Sequence, residues 1–378
     1  MSVNFVVALA LFNMASVRAG RVLLTLYAIK LGAQPATIGM LAAAFAVVPI
    51  LFSQASGRWS DRFGSRWLLL FGVAGSSSGM LLPYFFPSIT AIFVAGVLSG
   101  ISMTFCNVSL QNLVGVLSTP VNRVKNFGNY TLAGSTAAFL GPLIAGFAID
   151  HTGYDWTCLI VIAIAMVPMT MLMSHGSLLP RGNPEVSKEG SLWQALTTPG
   201  VWPVLITSCM GQTVGDFFQF YMPVYAHEAG LSASAIGVVL AAYSAATFVA
   251  RIFLPRLIQR WGEQKVLINA FSVAAVALML VPVFESGILL AAISFLTGLG
   301  MGCVAPITLM MMFTRSAAGR SGEALGLRLA ADNLTRLFAP MLFGAIASAA
   351  GLAVVFWLNA LMLGSGGLFA RHRSARKG

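Results

Sequence analysis

Apolar residues follow one another along this chain in long unbroken stretches, such as Leu68–Phe86 and Ala270–Phe284, separated by short charged or Pro/Gly-rich breaks. A hydrocarbon core of roughly 30 Å takes about 20 apolar residues in a helix, whereas the strands of a membrane barrel alternate apolar with polar positions. The pattern therefore predicts spanning helices near 3–29, 36–56, 67–86, 89–117, 124–149 and 155–175. A second set follows near 200–226, 233–254, 266–285, 287–313, 322–349 and 351–370. The one long hydrophilic stretch, Ser174–Pro199, divides them. The expected organisation is an N-terminal six-helix bundle over 1–175, a cytoplasmic linker over 176–199, a C-terminal six-helix bundle over 200–370 and a basic tail over 371–378.

The two sets are also alike residue by residue. A shift of 198 positions, without gaps, brings Tyr27-Ala28 onto Tyr225-Ala226, Gly32 onto Gly230 and Ile38-Gly39 onto Ile236-Gly237. In the same register Arg62 meets Arg260, Gly64 meets Gly262, Gly100 meets Gly298 and Met103 meets Met301. Gly128 falls on Gly326, Pro142-Leu143 on Pro340-Met341, Gly146 on Gly344 and Gly153 on Gly351. Single matches of Gly or Ala are cheap in such a composition, but one register through all twelve segments is not. Parallel repeats of six helices imply a site near the bilayer midplane between the halves.

Composition agrees: 58% of the 378 residues are hydrophobic and 9% charged, too few charges to coat a soluble surface. The net charge of +11 would suggest nucleic acid, but the basic residues sit where topology wants them. Sixteen of the 22 lie in alternate loops, the linker and the tail, only Lys30 lies in an opposite loop, and five lie within spans. By the positive-inside rule both termini and the linker are cytoplasmic, and no nucleic acid is required. Cys106, Cys158, Cys209 and Cys303 all lie in apolar runs without metal spacing and read as packing residues. The first run is too long for a cleavable signal peptide.

After the second segment the chain reads Gly57-Arg58-Trp59-Ser60-Asp61-Arg62-Phe63-Gly64-Ser65-Arg66. This resembles the signature loop of the major facilitator superfamily; its counterpart Pro255–Gly262 carries Gln259 where the acid would be, as is usual there. The resemblance implies the major facilitator fold: an all-α membrane protein of twelve transmembrane helices in two pseudo-symmetric six-helix bundles. It also implies that Gly57, Asp61, Arg62, Gly64 and Arg66 form a cytoplasmic latch. The fifth segment, with Gly128, Ala137, Gly141-Pro142 and Ala145-Gly146, resembles the antiporter signature of the drug/proton exporters, with alanine at two glycine positions. Gly141 and Pro142 would then let helices approach closely and bend. The arginine that such exporters often carry midway along helix four is absent from Gly96–Gly100.

Charges within the spans complete the picture, because burying one at the bilayer centre costs on the order of 3 kcal/mol by insertion scales. Arg18 and Arg21 lie in the first segment, Asp216 in the seventh, and Arg328, Asp332 and Arg336 in the eleventh. The 198-residue shift sets Arg18 at the depth of Asp216, either as a permanent bridge or as part of a substrate or proton site. Arg328, Asp332 and Arg336 recur four apart and share a helix face. Arg328, nearer the cytoplasmic end, is expected to snorkel. The substrate-binding candidates are Arg18, Arg21, Asn107, Gln111, Gln212, Gln219 and Arg336. Asp216 and Asp332 are the candidate proton carriers. More arginine than aspartate at depth favours an anionic or amphipathic small molecule.

The sequence is thus expected to encode a secondary transporter working by alternating access, with no cofactor beyond a proton gradient and with membrane lipids and protons as its other partners. It is expected to act as a monomer in the bacterial cytoplasmic (inner) membrane, not as an enzyme. Proton-coupled export is favoured; a proton-coupled importer of an organic anion is the alternative. A membrane receptor would need a signalling domain that is absent, and the buried set offers an enzyme neither His nor a convincing nucleophile. No phosphate-cradling loop for direct ATP drive is present.

Overall fold

The structure, a computed structural model, describes residues 3–119, 122–175, 201–315 and 321–375. The expected linker over 176–199 and the last residues of the tail lie outside them. Every regular element among the described residues is helical. The first four are α1 (Val3–Lys30), α2 (Pro35–Phe63), α3 (Ser65–Phe85) and α4 (Ile89–Val116). The run Arg123–His175 holds two helices, α5 and α6, divided at Gly153, where φ is 84°. Then come α7 (Val201–Glu228), α8 (Ala233–Trp261), α9 (Glu263–Leu280), α10 (Gly287–Arg315), α11 (Ser321–Ala350) and α12 (Leu352–Ala375).

The repeat found by shifting the sequence is written into the backbone. Among the described residues six have positive φ, all of them glycine: Gly32, Gly64, Gly153, Gly230, Gly262 and Gly351. They form three pairs 198 residues apart, with φ of 83° and 79°, 84° and 78°, and 84° and 88°. Only glycine adopts this conformation without a Cβ clash, so the shared register fixes where both halves turn.

Three boundaries differ from expectation for local reasons. The signature stretch after the second segment is mostly not loop, because α2 runs on to Phe63 and the chain turns only at Gly64. Its counterpart likewise stays helical to Trp261 and turns at Gly262. The ninth helix, expected to reach 285, stops at Leu280 and tightens into a 3₁₀ turn over Val281–Val283. Pro282 cannot donate the backbone bond that an α-helix needs there.

The chain gathers into two compact units. The first holds α1, α2 from Met40 onward, α3 to α6, and Ser232–Val238 at the start of α8. The second holds Pro35–Gly39 at the start of α2, together with α7, the remainder of α8, and α9 to α12. In the first, Leu9 of α1, Val73 of α3, Leu110 of α4 and Leu172 of α6 share one buried cluster. In the second, Phe217 of α7 meets Phe356 of α12 edge-on at 4.8 Å and Phe343 of α11 at 5.6 Å. Outward positions are apolar too: Ile288 is 84% and Trp67 66% exposed. Eight helical runs among the described residues are long and apolar enough to cross a membrane. Those of α7, α11 and α12 fall short, and the first two carry a row of polar side chains.

A polar ladder between helices α7 and α11

In lipid, helices gain little from burying apolar surface against each other, so polar groups and close backbone approach decide their partners. Ser208, Gln212 and Asp216 recur every four residues on α7, and Arg328, Asp332 and Arg336 every four on α11, so each helix presents a polar stripe. The stripes interlock in two rungs. In the first, Arg328 Nε donates to Ser208 Oγ at 2.8 Å, and the Ser208 hydroxyl donates to Asp332 Oδ1 at 2.8 Å. Arg328 Nη2 stands 3.4 Å from Asp332 Oδ2. In the second, Arg336 Nη2 donates to Gln212 Oε1 at 3.3 Å, and Gln212 Nε2 donates to Asp216 Oδ2 at 2.6 Å. Arg336 Nε lies 3.6 Å from the same oxygen, an ion pair too long for a hydrogen bond.

The rungs differ in access. The Arg328 and Asp332 side chains keep only 12% and 8% of their surface, against 32% and 13% for Arg336 and Asp216. A buried pair is tolerated only when its geometry and extra hydrogen bonds offset desolvation, and Ser208 supplies them to the deeper rung. Beside the rungs opens a cleft of about 90 Å³, lined by Ser208, Gln212, Tyr243, Met301, Thr308 and Arg328 among others. Drug-sized sites run to roughly 300–1,000 Å³, so this cleft holds one functional group of a ligand and not the whole molecule.

Asp216 and Gln212 of α7 thus meet Asp332 and Arg336 of α11, a pairing between helices that the spacing along each one does not name; Gln219 lies half-buried farther along α7. Arg328 corrects the expectation: it does not snorkel but closes the deeper rung, so two arginines face two aspartates within the ladder. Ser208 was missed, although its four-residue spacing from Gln212 and Asp216 was the signal. Tyr243, Met301 and Thr308 carry no such signal, since lining a cleft depends on lateral packing.

The first unit holds the remaining candidates. Arg21 is 8% exposed, with Nη2 3.7 Å from Met103 Sδ and its guanidinium carbon 5.3 Å from the Phe45 ring centre. Sulfur and ring face both offer a desolvated cation partial compensation. Arg18 is half-buried on α1, where a Cβ on Gly141 would collide with the Arg18 Cβ, so Gly141 is what lets α1 and α5 touch. Replacing Gly141 with Val is therefore expected to lower the thermal midpoint of the purified protein by several degrees, whereas Gly128→Val, with open space around it, should not. Asn107 is half-buried, with Oδ1 unbonded among the described residues, and Gln111 is exposed. Of the latch residues, Gly64 makes the turn and Arg66 lies with its guanidinium carbon 5.9 Å from the Trp67 ring centre. The side chains of Gly57, Asp61 and Arg62 lie outside the described residues.

Known proteins share both sequence and architecture with this chain. The tetracycline resistance protein, class B, of Escherichia coli is 25% identical over 317 residues, covering 82% of this chain and 78% of its own. Multidrug resistance protein 1 of Bacillus subtilis is 20% identical over 312 residues, covering 81% and 79%. Among solved structures, a peptide transporter POT in complex with sulfate superposes with a TM-score of 0.81 at 14% identity, covering 99% of this chain and 94% of that one. The nucleoside transporter NupG gives 0.80 at 10% identity, covering 97% and 99%. At such identities the structures speak for the fold alone. The sequence also matches the Major Facilitator Superfamily twice, over residues 5–233 and again over 225–377, one match for each half of the repeat. With its all-helical fold and paired halves, the chain belongs to the Major Facilitator Superfamily and is a multi-pass membrane transporter of small molecules.

Proposed function

We propose that this transporter exports a small amphipathic or anionic organic molecule in exchange for protons. The observation that carries the reading is the more open rung of the ladder. Asp216, half-buried and held by Gln212 and Arg336, is a carboxylate that a proton can reach and whose charge two neighbours sense. Protonating it would release Arg336 to a substrate anion, and losing that proton would draw Arg336 back. Such an exchange is the differential contact that alternating access requires of its two ligands. The cleft beside it offers a ring, a thioether, a hydroxyl and an amide, a mixture suited to an amphipathic group. The relatives named for tetracycline and multidrug resistance support export over import.

On this reading the protein works as a monomer in a bacterial inner membrane, with both termini in the cytoplasm and lipid around its apolar faces. The first test is a thermal-shift screen of the purified protein with tetracycline, organic acids, sugars and neutral drugs. Stabilisation by amphipathic or anionic compounds and by no sugar is the expected result; stabilisation by sugars alone would refute the substrate class. A guanidinium on α1 can grip an anionic group bidentately, so on this reading Arg18→Ala should weaken binding of an anionic ligand roughly tenfold or more while leaving neutral ligands nearly unchanged. Equal loss for both would remove the anion preference.

A further inference from the structure

The repeat register extends to two helix crossings, one of them built on Pro142 and Gly146 of the antiporter-like stretch, and a pair of exchanges between them carries an inference. In the second unit, Gly39 of α2 lies against the Pro340 carbonyl of α11, and Gly344 of α11 against the Pro35 carbonyl. In the first unit, Gly237 of α8 lies against the Pro142 carbonyl of α5, and Gly146 of α5 against the Ala233 carbonyl. Every partner has its counterpart 198 residues away: Pro35 and Ala233, Gly39 and Gly237, Pro142 and Pro340, Gly146 and Gly344. At all four glycines a Cβ would collide with backbone, so both crossings are in direct main-chain contact.

Each crossing also ties down the start of a helix, where backbone N–H groups lack partners. At α2 the first residue is Pro35, which has no N–H to satisfy. Of the first two residues only Ala36 has an N–H, and the Ser348 hydroxyl takes it at 3.0 Å. At α8 the corresponding residue is Ala233, which adds a donor. The residue 198 positions before Ser348 is Asp150, and its two oxygens take both donors, the Ala233 N–H at 3.1 Å and the Ser234 N–H at 2.8 Å. Ser232 accepts from the Ala235 N–H at 3.3 Å, so the first three N–H groups of α8 are all bonded. The exchange of proline for alanine on one helix is thus matched by serine for aspartate on the other. The carboxylate adds what the hydroxyl lacks, a negative charge at the positive end of a helix.

We infer that Asp150 is a positioning residue of the transport cycle: its carboxylate, bridging α5 to the start of α8, holds this pair of crossings closed, and the cycle proceeds by releasing it. The inference rests on alternating access and not on the substrate or the coupling ion, so it survives if either of those proves different. Ile236 on α8 and its counterpart Ile38 on α2 are both fully buried and serve as reporters of the two crossings. Each would be replaced by Cys singly, in a background with the four native cysteines changed to Ala, and its reaction with a membrane-impermeant maleimide timed in the full-length protein.

Asp150→Asn keeps the shape and one acceptor but loses the charge and the second bond. It should speed labelling at both reporters about tenfold, the scale of one charge-assisted hydrogen bond with its helix-end attraction. Asp150→Ser, which restores the acceptor used at Ser348, should fall between Asn and the parent. Faster labelling at Ile236→Cys alone would mean that α8 merely frays at its start, a local structural role that overturns the inference. Unchanged labelling at both sites in folded Asp150→Asn and Asp150→Ser protein would overturn it as well.

Discussion

Replacing Asp216 with Asn is expected to abolish substrate-driven proton movement while leaving the fold intact. The amide keeps the size of the carboxylate, and its oxygen can still accept from Gln212 Nε2, now 2.6 Å from Asp216 Oδ2. Arg336 keeps its bond to Gln212 Oε1 but loses its countercharge. Because the Arg336 side chain is 32% exposed, water replaces much of what is lost, and the stability cost should stay near the small values of exposed pairs. The group that can bind and release a proton is gone, however. Purified protein in liposomes, with a pH-sensitive dye inside and an imposed gradient of the compound that stabilises it most in the thermal-shift screen, reads this directly: on the proposed proton exchange the parent should change the lumen pH and the variant should not. Undiminished proton movement would take Asp216 out of the mechanism and turn attention to Asp332, the other acid of the ladder.

The legibility of these features in the sequence follows from which information is periodic. Segment positions, the repeat and its register came from patterns along one dimension, and the paired glycines at 32 and 230, 64 and 262, and 153 and 351 bear that register out in their backbone angles. Where a helix yields to a turn was less legible. The Gly57–Arg66 stretch reads as a loop because it is polar, yet polarity does not stop a helix, and the positive φ of Gly64 does. The polar stripe on α11 was legible as a face, but the helix it faces was not, since spacing fixes the direction of a side chain around its own axis and nothing beyond. Arg328 was misread for that reason: depth alone suggested snorkelling, while Ser208 across the gap decides its orientation. The same limit hid the asymmetry of the two crossings. Asp150 and Ser348 stand 198 residues apart in the register, but their roles appear only once each is seen against a helix start.

Removing one partner of the deeper rung should have the largest effect on stability. Asp332→Leu leaves the Arg328 guanidinium, 12% exposed, without its carboxylate. Breaking a buried pair in this way costs roughly 3–5 kcal/mol, because the surviving charge must stay desolvated or drag its helix toward water. Ser208 cannot compensate, since its hydroxyl would accept from Arg328 while its own proton lost the Asp332 oxygen. The double change Arg328→Leu with Asp332→Leu removes both charges and should recover most of the lost stability, as apolar replacement of buried pairs often does. Thermal unfolding of the parent, both single variants and the double variant in detergent forms a complete cycle for this pair. A loss in the double variant equal to the sum of the two single losses would show that the rung contributes no coupling. Transport then separates structure from function: Arg328 lines the cleft, so a stable double variant should still fail to move the compound that stabilises the parent in the thermal-shift screen. If it transported at the parent's rate, the deeper rung would be a fastener between α7 and α11, and the business of carrying substrate and proton would fall to Gln212, Asp216 and Arg336.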